Sequence, residues 1–422
     1  MAQTYFNLDS NYIVNPYRFK PIQDGFLLTN DFGGWVYLDK DEFALLRHNK
    51  LSKNPALFSL LKDKGFAIAE NSLDRTLNDF KLRFRAFFRG IYNHVIFLDD
   101  TNNEITPGNI KKIADFILQT PSREIIIEFK QKTYGKFEII KNFANEFNKN
   151  NMKNIIFKIE ADLNNFNNEI LEFLINNKFE VWVPLKSINI TDAAFSHLKE
   201  LQRRHKVNFY IDVSQETLAE GQKIVDFFAE NNFTSFFIRK TGEISREKFI
   251  DFWKKIIDKA YEVNKKSGRI VIQESYTSIL LRKINNVQDA FYPELNSLCT
   301  GAIISQLAYS LKGGIYANEE SFGIELFKLG DVNSSYTDIV SSEDSLALLS
   351  ASLNGNAALE ASVYKPYINS CPVCNYLESS NIIGRHPSER TVILNEMLDY
   401  LFEKILFDEE FLRFVYGVSF KI

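Results

Sequence analysis

The run His94-Val-Ile-Phe-Leu98 is followed by Glu124-Ile-Ile-Ile-Glu-Phe129 and Asn154-Ile-Ile-Phe-Lys-Ile159, apolar stretches that begin 30 residues apart. Each run has the length and the β-branched content of a strand, and a segment with helical periodicity separates it from the next. Parallel strands need such crossover helices, and because helices cover them they form nearly continuous apolar runs. This stretch therefore predicts a parallel sheet in a protein of the α/β class.

Three further apolar runs continue the pattern, at Val181–Leu185, Val207–Asp212 and Thr234–Ile238. Helical periodicity between the runs predicts crossover helices at Asn109–Leu118, Phe137–Asn148, Glu169–Asn176 and Leu218–Glu230. Six βα units are too few for a closed eight-stranded barrel. We therefore expect a partial (β/α)6 TIM-like barrel over residues 85–285.

The residues before the barrel predict a small module of winged-helix type over residues 1–75. Three strands are expected at Tyr17–Ile22, Phe26–Thr29 and Trp35–Leu38, and Asp24-Gly25 favours a tight turn between the first two. Asp39 or Asp41 can cap the first helix, and Asn54-Pro55 can open the second. A short strand at Phe66–Ile68 is expected to return to the module.

In the third part of the chain, residues 286–422, strands and helices no longer alternate regularly. Gly313-Gly314 predicts a hairpin within Ser310–Tyr316, and Thr391–Leu406 has the spacing of an amphipathic helix. No low-complexity linker separates the three parts, so we expect them to pack together.

Composition limits the classes of function. The chain has 422 residues, 45% of them hydrophobic, and a formal net charge of −4 with no long basic run, which argues against a nucleic-acid partner. No apolar stretch is long enough to span a bilayer, and the first residues lack the layout of a signal peptide. Three cysteines do not form a disulfide framework. These features predict a cytoplasmic protein without membrane association.

Short motifs along the whole chain are distinctive: Phe26-Leu-Leu-Thr-Asn-Asp31, Ile126-Ile-Glu-Phe129, Gln306-Leu-Ala-Tyr309 and Asn381-Ile-Ile-Gly-Arg-His-Pro387. Through them the chain resembles the B-type radical S-adenosylmethionine (radical SAM) maturase of His-Xaa-Ser peptide-modification systems. The resemblance implies a radical SAM-like barrel, an N-terminal module that recognises a leader peptide, and a C-terminal SPASM-like domain.

The chain departs from this family where the family performs its chemistry. The family carries a CxxxCxxC loop that holds an iron–sulfur cluster, and the corresponding positions here are Asn102, Thr106 and Asn109. A Gly-Gly-Glu-Pro turn that contacts the cofactor is replaced by Lys130-Gln-Lys-Thr-Tyr-Gly135. Ordinary clusters take cysteine thiolates, and the chain has only three cysteines. We therefore expect neither an iron–sulfur cluster nor bound S-adenosylmethionine, and no metal site.

These departures predict a catalytically inactive pseudoenzyme that acts as a peptide- or partner-binding scaffold in ribosomal peptide modification, with a partner such as an active radical SAM maturase. Two alternatives stay open. One is an enzyme with repurposed chemistry at the open end of the barrel, which would use groups such as Asp99, Asp100, Glu128 or Lys132. The other is a purely structural subunit of an assembly.

The predicted binding surface lies in the N-terminal module. Resemblance to leader-peptide recognition elements implies that a peptide adds as a strand beside the third strand and packs on the following helix. The residues concerned are Trp35, Val36, Tyr37, Leu38, Leu57 and Leu61. The alternative is that Trp35 and Tyr37 only seal the module against the barrel.

Two other features, a pair of cysteines and a histidine, can be explained by structural roles alone. Cys371-Pro-Val-Cys374 has the spacing of a zinc knuckle or a redox pair, but the chain has no second cysteine pair to complete a zinc site, so a buried remnant is the simpler interpretation. His94 lies in a predicted strand, and we expect a structural role for it.

Overall fold

The computed structural model describes residues 12–69, 90–98, 106–130, 137–149, 152–160, 167–204, 207–242, 244–285, 305–353, 357–368, 370–384 and 386–417. Side chains alternate in direction along its strands and recur every three to four residues along its helices, so these patterns decide which residues are buried.

The N-terminal module contains two small antiparallel sheets and two helices. Its strands are β1 (Tyr12–Val14), β2 (Tyr17–Ile22), β3 (Gly25–Asn30), β4 (Trp35–Leu38) and β5 (Ala67–Ala69), and its helices are α1 (Lys40–Arg47) and α2 (Pro55–Asp63). One sheet has the order β2-β3-β4, and the other pairs β1 with β5. The three predicted strands are confirmed, whereas β1 was missed.

Local side chains explain where these elements begin. Asp39 caps α1 by accepting hydrogen bonds from the backbone of Asp41 and Glu42, and Asn54 caps α2 through the N–H of Leu57. The hairpin turn lies at Gln23 and Asp24, where Gln23 has a φ of 48°. Gly25 is instead needed inside β3, because a Cβ there would lie 2.5 Å from the carbonyl oxygen of Leu38.

The central part of the chain forms parallel strands joined by helices. The strands are β6 (Asn93–Phe97), β7 (Glu124–Lys130), β8 (Asn154–Glu160), β9 (Glu180–Leu185), β10 (Val207–Val213), β11 (Ser235–Lys240) and the two-residue β12 (Gln273–Glu274). The helices are α3 (Pro107–Leu118), α4 (Phe137–Asn148), α5 (Asn168–Asn176), α6 (Asp192–Arg204), α7 (Gln215–Glu220), α8 (Lys223–Glu230), α9 (Arg246–Ser267) and α10 (Ser275–Asn285). All six predicted strands are confirmed.

One predicted helix is divided in two. The segment Leu218–Glu230 contains the end of α7 and the whole of α8, with Gly221 between them at a φ of 53°. A residue in this left-handed conformation ends α7, and glycine adopts it without the strain that a Cβ would bring.

The sheet continues beyond the first barrel strand. Strand β13 (Gln306–Ser310) pairs parallel with β6, and β14 (Gly314–Tyr316) and β15 (Lys328–Asp331) follow antiparallel. The result is a ten-stranded, mostly parallel sheet with the order β12-β11-β10-β9-β8-β7-β6-β13-β14-β15. The predicted hairpin at Gly313-Gly314 is confirmed, but its pairing with the barrel was not foreseen.

The remaining helices are α11 (Tyr336–Val340), α12 (Glu343–Leu353), α13 (Ala357–Ala361), α14 (Pro372–Ser379), α15 (Glu389–Phe407) and α16 (Phe411–Val415). Helix α15 packs on α9, where the rings of Trp253 and Tyr400 lie 5.4 Å apart. Among the described helices, none combines the length and the apolar character that crossing a membrane requires.

Candidate functional site

The two faces of the parallel sheet differ in their access to solvent. Side chains that point toward the helices, such as Ile127 and Phe129, are fully buried. Side chains at alternate positions on β9, β10 and β11, Trp182, Tyr210 and Phe237, are only half-buried. Because alternate residues of a strand share a face, these three point to the interior of the partial barrel. The barrel interior is therefore accessible, and functional groups there can meet a ligand.

Glu128 is the centre of a charged cluster in this interior. It lies on β7 directly beside Lys158 on β8 in the strand register. Its side chain is 4% exposed, and its two oxygens lie 2.9 Å from the ammonium groups of Lys130 and Lys158. Both carboxylate oxygens are thus engaged by lysines, which compensates for the cost of burying the charge.

The cluster extends outward to more exposed groups. The Nζ of Lys130 also lies 3.0 Å from Glu319 and 3.6 Å from Glu160. Arg239 on β11 donates to both oxygens of Glu160, at 3.1 and 3.2 Å, and to both oxygens of Asp212, at 2.6 and 3.0 Å. Arg239 and Glu319 are 37% and 38% exposed, so they form the solvent side of the cluster.

The mutual pairing fixes the charge of these groups. Burial alone would raise the pKa of Glu128, but Lys158 and Lys130 outweigh it and lower that pKa to about 2. Burial likewise opposes the charged form of both lysines, yet the surrounding carboxylates raise the pKa of each above its ordinary value. Glu128, Lys130 and Lys158 are therefore ionised at neutral pH.

This ionisation bears on the alternative of repurposed chemistry. A carboxylate with a pKa of about 2 is a poor general base near neutral pH, and both oxygens of Glu128 are already occupied. Glu128 is thus a structural centre of the cluster. The other residues suggested for such chemistry, Asp99, Asp100 and Lys132, lie outside the described residues.

Aromatic rings form a wall beside the charges. Trp182 stacks on Tyr210 at 4.7 Å and contacts Phe237 at 5.2 Å. Cations lie over these rings, with Lys158 at 4.6 Å from Trp182 and Arg239 at 4.4 Å from Tyr210. The indole N–H of Trp182 is buried and has no hydrogen-bond partner in the described part of the chain. It can donate to an acceptor on a ligand.

A loop from the C-terminal part reaches the same end of the barrel. It carries Glu319, whose backbone N–H donates to the side chain of Gln306 at 2.9 Å. Asn318 and Ser321 bond each other within the loop, and Phe322 stacks on Phe97 at the end of β6 at 3.9 Å. These contacts hold Glu319 in position against Lys130.

Sequence reasoning missed most of this cluster. Lys158 and Asp212 lie within predicted strands, and Glu160 and Arg239 follow shortly after predicted strands. Charged residues in otherwise apolar runs were the available signal, because a buried charge in a strand requires a partner.

Two of the three positions that correspond to the family's iron–sulfur cysteines lie at the start of α3. Thr106 precedes α3 and accepts a hydrogen bond from the N–H of Asn109, so it acts as the N-cap of that helix. Asn102 and Cys299 lie outside the described residues. Over the described ranges, no three His, Cys, Asp or Glu side chains are grouped so that they could hold a metal ion.

His94 has the structural environment that was expected. It is fully buried and shares a 2.8 Å hydrogen bond with the hydroxyl of Tyr309 on the neighbouring strand. Burial, together with the charge of Lys153, lowers the pKa of His94 to about 3. The imidazole is therefore neutral at physiological pH.

The predicted binding residues of the module are mostly buried. Val36, Leu38, Leu57 and Leu61 belong to the core of the module itself. The indole of Trp35 is 7% exposed, donates to the carbonyl of Ile284 at 3.0 Å, and contacts Phe402. The side chain of Trp35 is therefore unavailable as a peptide anchor, because it is already packed between the module and the rest of the protein.

The backbone of β4 is better placed for recognition. Among the described residues, strand β4 is the last strand of its sheet and pairs with β3 alone. The N–H of Asn30 donates to the carbonyl of Gly34, and since bonding pairs alternate along an antiparallel ladder, Val36 and Leu38 face β3. The backbone groups of Trp35 and Tyr37 consequently face the outer edge.

Apolar side chains lie on both sides of this edge. The Tyr37 ring contacts Phe407 at 5.9 Å, and Phe407 is 45% exposed. On the other side, the ammonium of Lys64 lies 5.7 Å from the Trp35 ring, which places the end of α2 beside the start of β4. Leu60 precedes Lys64 by one helical turn and is 43% exposed.

Comparisons with solved structures show which known proteins have a similar fold. The described fold is similar to solved structures of anSMEcpe with bound AdoMet (S-adenosylmethionine), with a TM-score of 0.59 and 12% identity over 75% of this chain and 94% of that one. A structure of anSMEcpe with AdoMet and the Cp18Cys peptide gives a TM-score of 0.60 at 12% identity, over 74% and 98%. Streptococcus suis SuiB bound to S-adenosylmethionine aligns with a TM-score of 0.48 at 12% identity, over 90% of this chain and 99% of that one.

The described part of this protein therefore shares the fold of anSMEcpe. No protein-family model matches the chain, and no curated protein matches it.

The comparison corrects one prediction from the sequence. We expected no cofactor, yet anSMEcpe, which shares the fold, was crystallised with S-adenosylmethionine bound. That finding overturns the expectation, which considered thiolate ligands and one glycine-rich turn alone.

Proposed function

We propose that this protein binds an extended peptide at the edge of β4, in the context of ribosomal peptide modification. The observation that carries the proposal is the outer edge of β4, where the backbone of Trp35 and Tyr37 faces away from β3. An added strand gains main-chain hydrogen bonds there, and Phe407 and Leu60 offer apolar contacts for its side chains. The peptide bound to anSMEcpe, a protein of the same fold, supports a peptide as the partner.

Replacing Tyr37 with Pro tests the edge. The substitution removes an N–H that faces outward and leaves the bonds from Val36 and Leu38 to β3 in place. We expect the dissociation constant for the peptide to rise at least about tenfold, or about 1.4 kcal/mol. The measurement is a fluorescence titration with a labelled synthetic copy of the peptide encoded nearest the gene.

Two further variants complete this test. Phe407→Ala should weaken binding more modestly, because it removes an apolar contact beside the edge. Met152→Ala is the matched control, since Met152 is 89% exposed and lies next to β8, away from the module. Equal affinity for wild type, Tyr37→Pro and Phe407→Ala, all shown to be folded, would place the binding surface elsewhere.

We further propose that the charged cluster in the barrel binds S-adenosylmethionine. The donor set fits this ligand chemically. Arg239 and Lys130 can pair with its carboxylate, Glu160 and Glu319 with its ammonium group, and the ring edges of Trp182 and Tyr210 can contact its adenine. The cluster contains four carboxylates and three cations, so its net charge suits a ligand that carries a net positive charge.

Replacing Arg239 with Gln tests the barrel site. Arg239 is 37% exposed on the solvent side of the cluster, where a ligand would arrive. We expect calorimetry to give a micromolar dissociation constant for wild type and at least about tenfold weaker binding for the variant. Arg204→Gln is the control, because Arg204 lies on the outer helix α6 and pairs with Glu172. No binding by wild type, or equal binding by Arg239→Gln, would reject the site.

Three finer predictions stay predictions. They are membership of the B-type maturases of His-Xaa-Ser systems, a partnership with an active radical SAM maturase, and the absence of radical catalysis. The last one is compatible with S-adenosylmethionine binding, because a protein can retain a ligand after losing the reaction. Turnover of S-adenosylmethionine under reducing conditions is the measurement that would decide it.

A further inference from the structure

Two cysteines meet at the start of α14. Cys371 is the N-cap of this helix, and its Sγ accepts a hydrogen bond from the N–H of Cys374 at 3.4 Å. Pro372 occupies the first helical position and fixes the backbone between the two thiols. The sulfur of Cys371 therefore lies against the backbone of Cys374, at the same turn of the chain.

The two thiols differ in accessibility. Cys371 is 5% exposed and belongs to the main hydrophobic core, whereas Cys374 is only partly buried at the edge of that core. The N–H of Cys374 and the dipole at the helix N-terminus favour the thiolate form of Cys371, which is the form that attacks a disulfide. This arrangement provides one accessible attacking thiol and one shielded thiol behind it.

We propose that Cys371 and Cys374 form a redox-active dithiol that exchanges with small-molecule disulfides. Cys374, as thiolate, attacks one sulfur of the small disulfide, whose S–S bond breaks and whose other half leaves as a thiol after gaining a proton. Cys371 then loses its proton and attacks the sulfur of Cys374, which releases the second half as a thiol. The protein loses two electrons and two protons, and the small disulfide gains them.

The inference itself does not depend on peptide or S-adenosylmethionine binding.

The test is thiol mapping of the full chain in buffers of oxidised and reduced glutathione. After anaerobic incubation and alkylation, the peptide that contains residues 371–374 should lack two hydrogens and carry no alkyl group. The ratio of disulfide to dithiol should rise about tenfold for each tenfold rise in oxidised over squared reduced glutathione. Two alkyl groups on this peptide at the most oxidising ratio would overturn the proposal.

Variants and metal analysis separate the pair from other thiol chemistry. Cys371→Ser should trap a stable glutathione adduct on Cys374, because the resolving thiol is gone, and Cys299→Ser should leave the disulfide unchanged. A disulfide that requires Cys299 would count against the proposal. So would bound zinc or iron that blocks alkylation of both cysteines, since the site would then be a metal site. If either variant fails to fold, the wild-type mapping decides.

Discussion

The variant Glu128→Gln is expected to lose about 3–5 kcal/mol of unfolding free energy, the cost of removing one partner from a buried ion pair. Glu128 is 3% exposed and neutralises Lys130 and Lys158. Lys130 keeps Glu319 and Glu160 as partners, whereas within the described ranges Lys158 keeps no carboxylate, but the hydroxyl of Tyr210 at 3.3 Å and the ring of Trp182. Glutamine has almost the same size as glutamate. The lost unfolding free energy therefore reports the missing charge and not a change in side-chain volume. Urea denaturation followed by tryptophan fluorescence checks it, and Trp182 lies over Lys158.

A matched control variant and stability measurements at falling pH complete this test. Glu172→Gln removes an exposed carboxylate that pairs with Arg204, and surface pairs contribute little, so its stability should stay near that of wild type. The pKa of Glu128 is lowered from 4.5 to about 2, so its stabilisation is present above pH 4.5 and is lost as the pH falls toward 2. The difference in unfolding free energy between wild type and Glu128→Gln should therefore become smaller as the pH falls. If Glu128→Gln and Glu172→Gln lost the same unfolding free energy, the charged cluster would not stabilise the fold.

The strands of the barrel could be predicted because their sequence requirement is local. A strand covered by helices must be apolar along most of its length, as in Glu124–Lys130, and this pattern is visible without knowing any neighbour. The N-cap Asn54 could be predicted for the same reason, since a cap bonds backbone groups two or three residues away, and the first cap was narrowed to Asp39 or Asp41, of which the structure has Asp39.

The charged cluster could not be assembled from the sequence because it depends on register. Glu128 meets Lys158, and Asp212 meets Arg239, only because these residues are directly opposite in adjacent strands. A shift of one residue would turn one of each pair to the helix side of the sheet. Glu319 comes from a loop far along the chain, and the pairing of β13 with β6 that brings this loop to the barrel has no local signal.

Cysteine counting led to the wrong expectation about the cofactor for a related reason. The count addresses one kind of ligand, a thiolate on iron, and Asn102, Thr106 and Asn109 do not supply it. It does not address the groups that the barrel strands present to an organic ligand. Those groups, among them Arg239 and Trp182, become a candidate site only when the fold brings them together.

The variant Trp35→Ala is expected to lose about 3–5 kcal/mol of unfolding free energy, the range for removing a large buried aromatic side chain. The indole is 7% exposed, packs edge-on against Phe402 at 5.5 Å, and donates to the carbonyl of Ile284 at 3.0 Å. These contacts join the N-terminal module to α10 and α15. Truncation leaves a cavity there and a buried carbonyl without its donor, and both effects destabilise the folded state.

Trp35→Phe separates the two effects, because it keeps most of the ring and removes only the N–H. Its loss should be about 1–3 kcal/mol, the cost of an unsatisfied buried group. Urea denaturation and peptide titration of both variants distinguish a packing role for Trp35 from a role as peptide anchor. A packing role predicts that stability falls in the order wild type, Phe, Ala, whereas the folded Phe variant keeps its peptide affinity, since the backbone edge of β4 is intact. Unchanged stability of Trp35→Ala together with lost peptide binding would assign the indole to the peptide instead, and the contact with Ile284 would then carry no energy.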